Sequence, residues 1–159
     1  ELLVVIIIIG ILAAIALPSF LNQANKAKES EAKTYIGSMN RAQQAYILEK
    51  GVMANQANFG KLGLGIASVT TNYEYVIVNP STSQVTNQAR PVVDTVRAYI
   101  GGVKIGQQAG TGEATSLAIL CEAENAPVIS GPTGAQEVTY GGATAQPTCP
   151  TDYAGIGEN

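Results

Sequence analysis

Few side chains of this chain could carry out chemistry, and they fit no common catalytic arrangement. Its 159 residues include no histidine, which excludes Ser–His–Asp and Cys–His arrangements and removes the commonest nitrogen ligand of zinc. Glu122 and Glu124 could form the carboxylate pair of a glycosidase, but solvated charge beside a strand is the favoured interpretation. The sequence GKLGLG at residues 60–65 lacks the GK[ST] ending of a phosphate loop and is interpreted as a flexible turn. We therefore predict neither an enzyme nor a cofactor.

Metal and nucleic-acid binding are not indicated either. Asp152 and Glu158 could help to hold calcium, yet no EF-hand spacing surrounds them, and no metal site is predicted. The nine Lys and Arg residues are scattered, so no basic patch for nucleic acid is evident. Charged residues make up 13% of the chain, against about 25% in ordinary soluble domains. This composition suits an exported, packed or glycosylated protein better than a cytosolic enzyme.

Cys121 and Cys149 are the two thiols of the sequence. An even pair in a chain with an export-like N-terminus predicts one disulfide and an oxidising compartment; two buried free thiols are the alternative. A bridge would close a loop of about 29 residues, which would stabilise the fold by roughly 3–4 kcal/mol in the chain-entropy model.

Glu1 is the single charge ahead of a long apolar segment. Residues 2–21 would span about 30 Å as a helix, which matches the hydrocarbon core of a bilayer. A signal peptide would carry basic residues ahead of a shorter run, whereas Lys26, Lys28 and Lys33 follow this one. From the residues alone, Glu1 is either an interfacial residue favoured by the helix dipole or a carboxylate that needs a partner, because charge near hydrocarbon is costly.

The helical pattern continues beyond the apolar segment. An apolar stripe recurs there at three- and four-residue spacing. Its members are Ala32, Tyr35, Ile36, Met39, Ala42 and Tyr46. Glu29 and Lys33 form an i,i+4 pair in the favoured order, and Gly51 is typical of a helix stop. We therefore predict one helix of about 75 Å, apolar all round in its first half, amphipathic in its second, and weakened at Gly10 and Pro18.

Strand-like runs fill the second half of the chain. A connecting loop is predicted at residues 51–72, with a short helical turn near residues 59–64. The predicted strands are residues 73–79, 92–100, 103–105 and 115–121, with 137–140 as a weak fifth. Gly101 and Gly102 separate the second strand from the third. We predict an α+β fold in which the amphipathic half of the helix packs on an antiparallel β-sheet of about four strands.

The first residues, ELLVVIIIIGILAAIALPSFLNQ, closely resemble the N-terminal segment of mature type IV pilins. The resemblance continues more loosely through SEAKTYIGSMNRAQQAYILEKG, and the order of long helix, loop, sheet and C-terminal disulfide loop fits that family. Pilins carry four further residues ahead of the glutamate, beginning with a methylated phenylalanine left by prepilin peptidase. We therefore expect Glu1 to lie four residues inside the processed chain.

The resemblance implies a role for each matching position. Glu1 would pair with the terminal amine of a neighbouring subunit during assembly, which would offset the cost of charge near hydrocarbon. Gly10 and Pro18 would bracket a stretch that can lose helical structure in the filament; a simple kink at Pro18 is the alternative. Cys121 and Cys149 would staple the C-terminal loop.

The resemblance further implies a structural subunit that polymerises with itself into an extracellular pilus for adhesion, twitching motility or DNA uptake. Its other partners would be the bacterial inner membrane before assembly, prepilin peptidase and the pilus assembly machinery. A pseudopilin of a type II secretion system is one alternative, although the disulfide loop favours a pilin because major pseudopilins more often bind calcium there. A membrane-anchored periplasmic binding module is the alternative from another class.

The expected division of the chain follows from the same resemblance. Residues 1–25 would form the transmembrane and filament-core segment, and residues 26–159 would form the globular head. Within the head, residues 26–50 would be the amphipathic half of the helix, 51–72 the connecting loop, and 73–159 the sheet with the disulfide loop.

Overall fold

The computed structural model describes residues 1–157 and has the predicted α+β architecture. The elements are α1 (Leu2–Lys50), β1 (Tyr73–Val78), β2 (Gln84–Pro91), β3 (Tyr99–Gln107), β4 (Ala114–Ala123) and β5 (Tyr153–Gly155). Short 3-10 helices lie at Gln56–Leu62 and Pro127–Ile129. The second half of α1 packs on one face of the sheet through contacts with β2, β3 and β4.

The helix α1 begins directly after Glu1 and continues for 49 residues. It ends where predicted: Gly51 has a φ of 72°, and its N–H donates to the carbonyl of Ile47 at 2.8 Å. Glycine reaches this left-handed conformation without the steric cost that a Cβ imposes. The weakening expected at Gly10 and Pro18 stays a prediction, because an unbroken helix is compatible with a locally weaker one.

The five strands form an antiparallel sheet in chain order. The predicted strands at residues 73–79 and 115–121 coincide with β1 and with most of β4. The predicted strand at residues 92–100 was wrong over most of its length: it is the connection before β3, and β2 precedes it. Residues 137–140 contain only the isolated bridge between Thr139 and Thr148, and β5 was not predicted.

The face that α1 buries is more polar than the predicted stripe. Ala32, Ile36 and Met39 of that stripe are fully buried. The remaining buried positions of α1 are Glu29, Asn40, Gln43 and Ile47. Tyr35, Ala42 and Tyr46 are only partly buried. The buried face therefore combines an apolar core with polar groups that need partners.

Asn40 and Gln43 find their partners in three other parts of the head, to which they fasten α1. Gln43 donates from Nε2 to the carbonyl of Ala54 at 3.0 Å, and its Oε1 accepts from the N–H of Ala54 at 2.8 Å. Asn87 of β2 donates to Oδ1 of Asn40 at 2.9 Å, and Nδ2 of Asn40 donates to the carbonyl of Ile119 in β4 at 2.9 Å. Sliding α1 along the sheet would break several of these bonds at once, so the amides fix its register.

The C-terminal segment between β4 and β5 covers the opposite face of the sheet. Cys121 of β4 and Cys149 form a disulfide with Cα atoms 5.8 Å apart, which confirms the predicted bridge. Val138 and Tyr140 of this segment pack beside Ile100 of β3. Eight of the nine residues of β3 are therefore buried or partly buried, because α1 lies on one face and the C-terminal segment on the other.

Gly101 and Gly102 lie inside β3 and do not interrupt it. A Cβ on Gly101 would lie 2.5 Å from Oδ1 of Asn40 and 2.6 Å from Cγ2 of Ile36 on α1. A Cβ on Gly102, which faces the other side, would lie 2.7 Å from Cγ1 of Val138. The pair was predicted to separate two strands, but its function is to let both covering layers approach the sheet closely.

Gly101→Val is expected to lower the free energy of unfolding by roughly 1–3 kcal/mol, because the new side chain overpacks the contact between β3 and α1. Thermal unfolding followed by circular dichroism of the detergent-solubilised protein measures this loss. Gly60→Val is the matched control, since a Cβ on Gly60 meets nothing within 4 Å. Equal losses in the two variants would contradict the close approach at Gly101.

Both edges of the sheet are partly shielded. At β1, the side chain of Gln56 bonds as a neighbouring strand would: Oε1 accepts from the N–H of Ile77 at 2.7 Å, and Nε2 donates to the carbonyl of Tyr75 at 3.2 Å. At the other edge, β5 pairs with the last three residues of β4, and Asn40 of α1 donates to the carbonyl of Ile119. Unshielded edges would offer backbone groups to other chains.

Alkaline pH is expected to loosen the C-terminal cover, which is the segment between β4 and β5 that lies on the second face of the sheet. Burial raises the pKa of Tyr140 and of Tyr153 from 10.0 to about 12. Folding therefore favours the protonated phenols, and this stabilisation is complete below pH 10 and is lost as the pH rises toward 12. Because the sequence has no tryptophan, near-ultraviolet absorbance follows tyrosinate formation directly. A melting temperature that stays constant over this interval would contradict the prediction.

Candidate assembly surface

The first half of α1 projects from the head with its side chains uncovered. Residues 1–23 are all exposed, and the first buried residue of α1 is Glu29. The large apolar residues exposed here are Leu2, Leu3, Val4, Val5, Ile6, Ile7, Ile8, Ile9, Ile11, Leu12, Ile15, Leu17, Phe20 and Leu21. Each is at least 51% exposed. Soluble monomers rarely expose apolar patches above a few hundred Å², so this segment requires an apolar partner.

The length and composition of the segment suit a bilayer or a bundle of similar helices. The helix α1 contains a window long and apolar enough to cross a membrane, and none of that window is buried. A helix that is apolar on every side is stable where it is surrounded by lipid or by other apolar helices. The combination of an apolar composition with complete exposure distinguishes the segment from the buried core helix of a soluble protein.

Glu1 lies at the outer end of the apolar segment. Its carbonyl accepts from the N–H of Val5 at 3.4 Å, but its side chain caps no N–H of the helix. Within residues 1–157 it belongs to none of the ion pairs. The carboxylate is therefore available to a group outside the subunit, at a helix end whose dipole favours negative charge.

An ion cluster joins α1 to the head close to where the projecting segment begins. Arg97 donates from Nη2 to Oε2 of Glu29 at 3.2 Å, and the backbone N–H of Arg97 donates to Oε1 of Glu29 at 3.0 Å. Nη1 of Arg97 pairs with Oε1 of Glu122, and the hydroxyl of Tyr99 donates to Oε2 of Glu122 at 3.1 Å. The side chain of Glu29 is 10% exposed, so its charge depends on these partners.

The ion cluster corrects two interpretations of the sequence. Glu29 pairs with Arg97 across the α1–sheet junction, and the expected pair with Lys33 is not among the ion pairs of residues 1–157. Glu122 is a member of the cluster and not simply a solvated flank, whereas Glu124 is exposed. The sequence did carry a signal for Arg97: Glu29 precedes Ala32 by three residues and so lies on the buried stripe, where a carboxylate needs a cation.

Arg97→Ala is expected to destabilise the head by about 2 kcal/mol, because it leaves the buried carboxylate of Glu29 without its cation. The expected loss of stability is smaller than for a fully buried ion pair, because Arg97 keeps 32% of its side chain exposed. Denaturant unfolding in detergent measures the change. Arg41→Ala is the matched control, since Arg41 is exposed and its guanidinium contacts Ser38. If both variants unfold at the same denaturant concentration, the cluster does not stabilise the junction.

The structure places no metal cluster among the residues that it describes: residues 1–157 contain no group of three or more Cys, Asp or Glu side chains arranged to hold an ion. Glu158, which was weighed as a calcium ligand with Asp152, lies outside those residues. In the GKLGLG sequence, residues 60–62 belong to the 3-10 helix and Gly63 ends it in the left-handed conformation.

Comparison with known proteins finds similarity to pilins and to a fimbrial protein. The model of the type IV pilin-like G and H family matches residues 29–150 of this chain. The chain is 45% identical over 58 residues to the type IV major pilin protein PilA of Myxococcus xanthus (strain DK1622), covering 36% of the chain and 26% of that protein. It is 43% identical over 77 residues to the fimbrial protein EcpC of Eikenella corrodens, covering 48% of the chain and 46% of that protein.

The alignments therefore span about a quarter and about half of the lengths of these two curated relatives. No solved structure matches the chain.

Proposed function

Because the chain belongs to the type IV pilin-like G and H family, we propose that it is the structural subunit of a type IV pilus. The observation that carries this proposal is the uncovered apolar half of α1, attached to a head whose own core is complete. Such a segment can be satisfied by other copies of itself, which makes a helical homopolymer with the apolar helices in its centre and the heads outside.

The same segment accounts for a membrane-anchored stage before assembly. In this proposal residues 1–25 hold the subunit in the inner membrane and later form the filament core, while residues 26–159 form the head. Prepilin peptidase and the pilus assembly machinery are the proposed partners at this stage. The assembled subunit is extracellular, as a surface pilus that serves adhesion, twitching motility or DNA uptake.

Three positions in the apolar segment have proposed roles in assembly. Glu1 pairs with the terminal amine of a neighbouring subunit, because its exposed carboxylate needs a partner once it enters an apolar bundle. Gly10 and Pro18 allow the helix between them to loosen in the filament. Pro18 removes one backbone donor, which lowers the cost of unwinding but does not abolish it in an apolar core.

Electron microscopy of filaments sheared from cells, with gold-labelled antibodies against the head, tests the proposal. Long surface filaments that carry the label are the expected result. A labelled filament that stays within the periplasm would indicate a pseudopilin of a type II secretion system. Label confined to the membrane, with no filament, would indicate an anchored binding module and would overturn the structural role.

A further inference from the structure

One end of the head lies close to the level at which the apolar segment ends. The hydroxyl of Thr95, in the connection between β2 and β3, donates to Oδ1 of Asn25 at 3.4 Å. Asn25 follows Leu21 by four residues, about 6 Å along the helix. The headgroup layer on each side of a bilayer is roughly 5–8 Å thick. When residues 2–21 fill the hydrocarbon core, the connection at Thr95 therefore lies at headgroup depth.

Apolar side chains are exposed beside this connection. The N–H of Val128 donates to the carbonyl of Asp94 at 3.0 Å, which ties the 3-10 turn Pro127–Ile129 to the residue before Thr95. Val128 and Ile129 are 62% and 63% exposed, outside both apolar clusters of the head. Apolar residues at headgroup depth gain free energy by entering the boundary of the acyl chains.

Two lysines of α1 lie at this depth or just beyond it, within reach of the headgroups through their long side chains. Lys26 and Lys28 follow Leu21 by about 7–11 Å along the helix. The carboxylates nearest to them on α1 are directed into the head: Glu29 pairs with Arg97. Glu31 accepts hydrogen bonds from Asn72 and Tyr75. Asp94 and Glu124, close to the turn Pro127–Ile129, are the exposed acidic residues of this region. The two lysines are therefore available to anionic lipid phosphates.

We propose that the base of the head, formed by Lys26, Lys28, Asp94, Thr95 and the turn Pro127–Ile129, docks on an anionic lipid surface in the membrane-anchored subunit. The inference rests on the proposed anchoring by residues 2–21. The ion cluster and the buried amides fix the head on α1, so the depth of the apolar segment also sets the depth of the base. Val128 and Ile129 enter the acyl boundary, and the lysines contact lipid phosphate.

A single-tryptophan reporter tests the docking, because the chain has no tryptophan of its own. The full chain with Ile129→Trp is reconstituted into phosphatidylcholine vesicles with and without phosphatidylglycerol. Quenching by a nitroxide attached to the lipid headgroup is then measured. Leu48→Trp is the matched control, since Leu48 is 86% exposed and lies about 40 Å along the helix from Leu21. We expect quenching several-fold stronger at residue 129, and stronger still with phosphatidylglycerol.

The lysines provide the second arm of the experiment. The double substitution Lys26→Gln and Lys28→Gln, placed in the Ile129→Trp protein, should remove the enhancement of quenching by phosphatidylglycerol. Each lysine that is lost should weaken the preference for vesicles containing phosphatidylglycerol roughly fivefold. Lys61→Gln, on the 3-10 helix Gln56–Leu62, should leave it unchanged. An enhancement that survives the double substitution would overturn the role of the lysines.

Flotation of the vesicles separates this inference from the proposed anchoring. Protein that does not float with vesicles would overturn the anchoring and the docking together. Protein that floats, with quenching at residue 129 no stronger than at residue 48, would overturn the docking alone. A blue-shifted emission at residue 129 without quenching would show that another copy of the chain covers the turn, which also overturns the lipid assignment.

Discussion

Replacing Glu1 with leucine should leave the subunit in the membrane but reduce assembled filaments at least about thirtyfold. The removal of one partner of a desolvated charge pair costs about 2 kcal/mol or more, and the pair proposed here would be repeated at every subunit contact. The apolar segment loses no hydrophobic surface by the change, so anchoring is preserved. Immunoblots of the sheared-filament and membrane fractions measure both quantities.

Two matched variants identify the carboxylate as the cause. Glu1→Asp keeps the charge and should retain more assembly than Glu1→Leu. Glu49→Leu changes an exposed carboxylate at the other end of α1, where Glu49 contacts Lys50 at 2.7 Å, and should assemble normally. Normal filament yield in Glu1→Leu would overturn the pairing role and would leave Glu1 as an interfacial residue favoured by the helix dipole.

Loss of the disulfide should have the largest effect on the head. Cys121→Ser combined with Cys149→Ser opens a loop of about 29 residues, which corresponds to roughly 3–4 kcal/mol in the chain-entropy model. We expect a melting temperature lower by several degrees and faster proteolysis between residues 124 and 152. The cover of the second sheet face would then depend on weaker contacts, such as those of Lys104, which donates to the carbonyls of Gly141 and Gly142 at 3.0 and 2.6 Å.

Reduction of the unmodified protein provides the control for the double substitution. A reducing agent should shift the melting temperature of the unmodified protein to that of the variant and should leave the variant unchanged. If the double variant resists heat and protease as well as the unmodified protein does, then the bridge does not hold the C-terminal cover in place.

The parts of the fold that the sequence predicted correctly are those set by local chemistry. The helix α1 followed from its periodicity and from Gly51, whose left-handed conformation ends it. The strand β1 followed from an apolar run with β-branched and aromatic residues. These signals lie within a few residues of the structure that they specify.

The parts that the sequence did not predict depend on contacts between distant residues. The strand β2 was missed because its inner positions are polar: Asn87 is fully buried by bonding to Asn40, 47 residues earlier. Gly101 and Gly102 were interpreted as a break because the layers that require them, α1 and the C-terminal segment, are not adjacent in sequence. The strand β5 is three residues long, too short for any periodicity.

The candidate assembly surface was likewise predicted only in part. Its apolar segment was evident from composition, since every residue from 2 to 25 is uncharged. The ion cluster was not evident from the sequence, because Arg97 reaches Glu29 across 68 positions of the chain. Only the placement of Glu29 on the buried stripe indicated that a cation was needed there.

The shielding of β1 by the Gln56 side chain would matter most in a filament, where the heads are closely packed. Heads that are packed along a fibre meet one another at local concentrations far above those of free proteins in solution, for as long as the fibre lasts. A bare β1 would then compete with the intended helix contacts by recruiting a neighbour's strand, and such pairing propagates. In the proposed filament, the Gln56 amide occupies the carbonyl of Tyr75 and the N–H of Ile77, and residues 68–70 bond to Tyr73 and Tyr75. Polymer growth would then remain confined to the apolar helices.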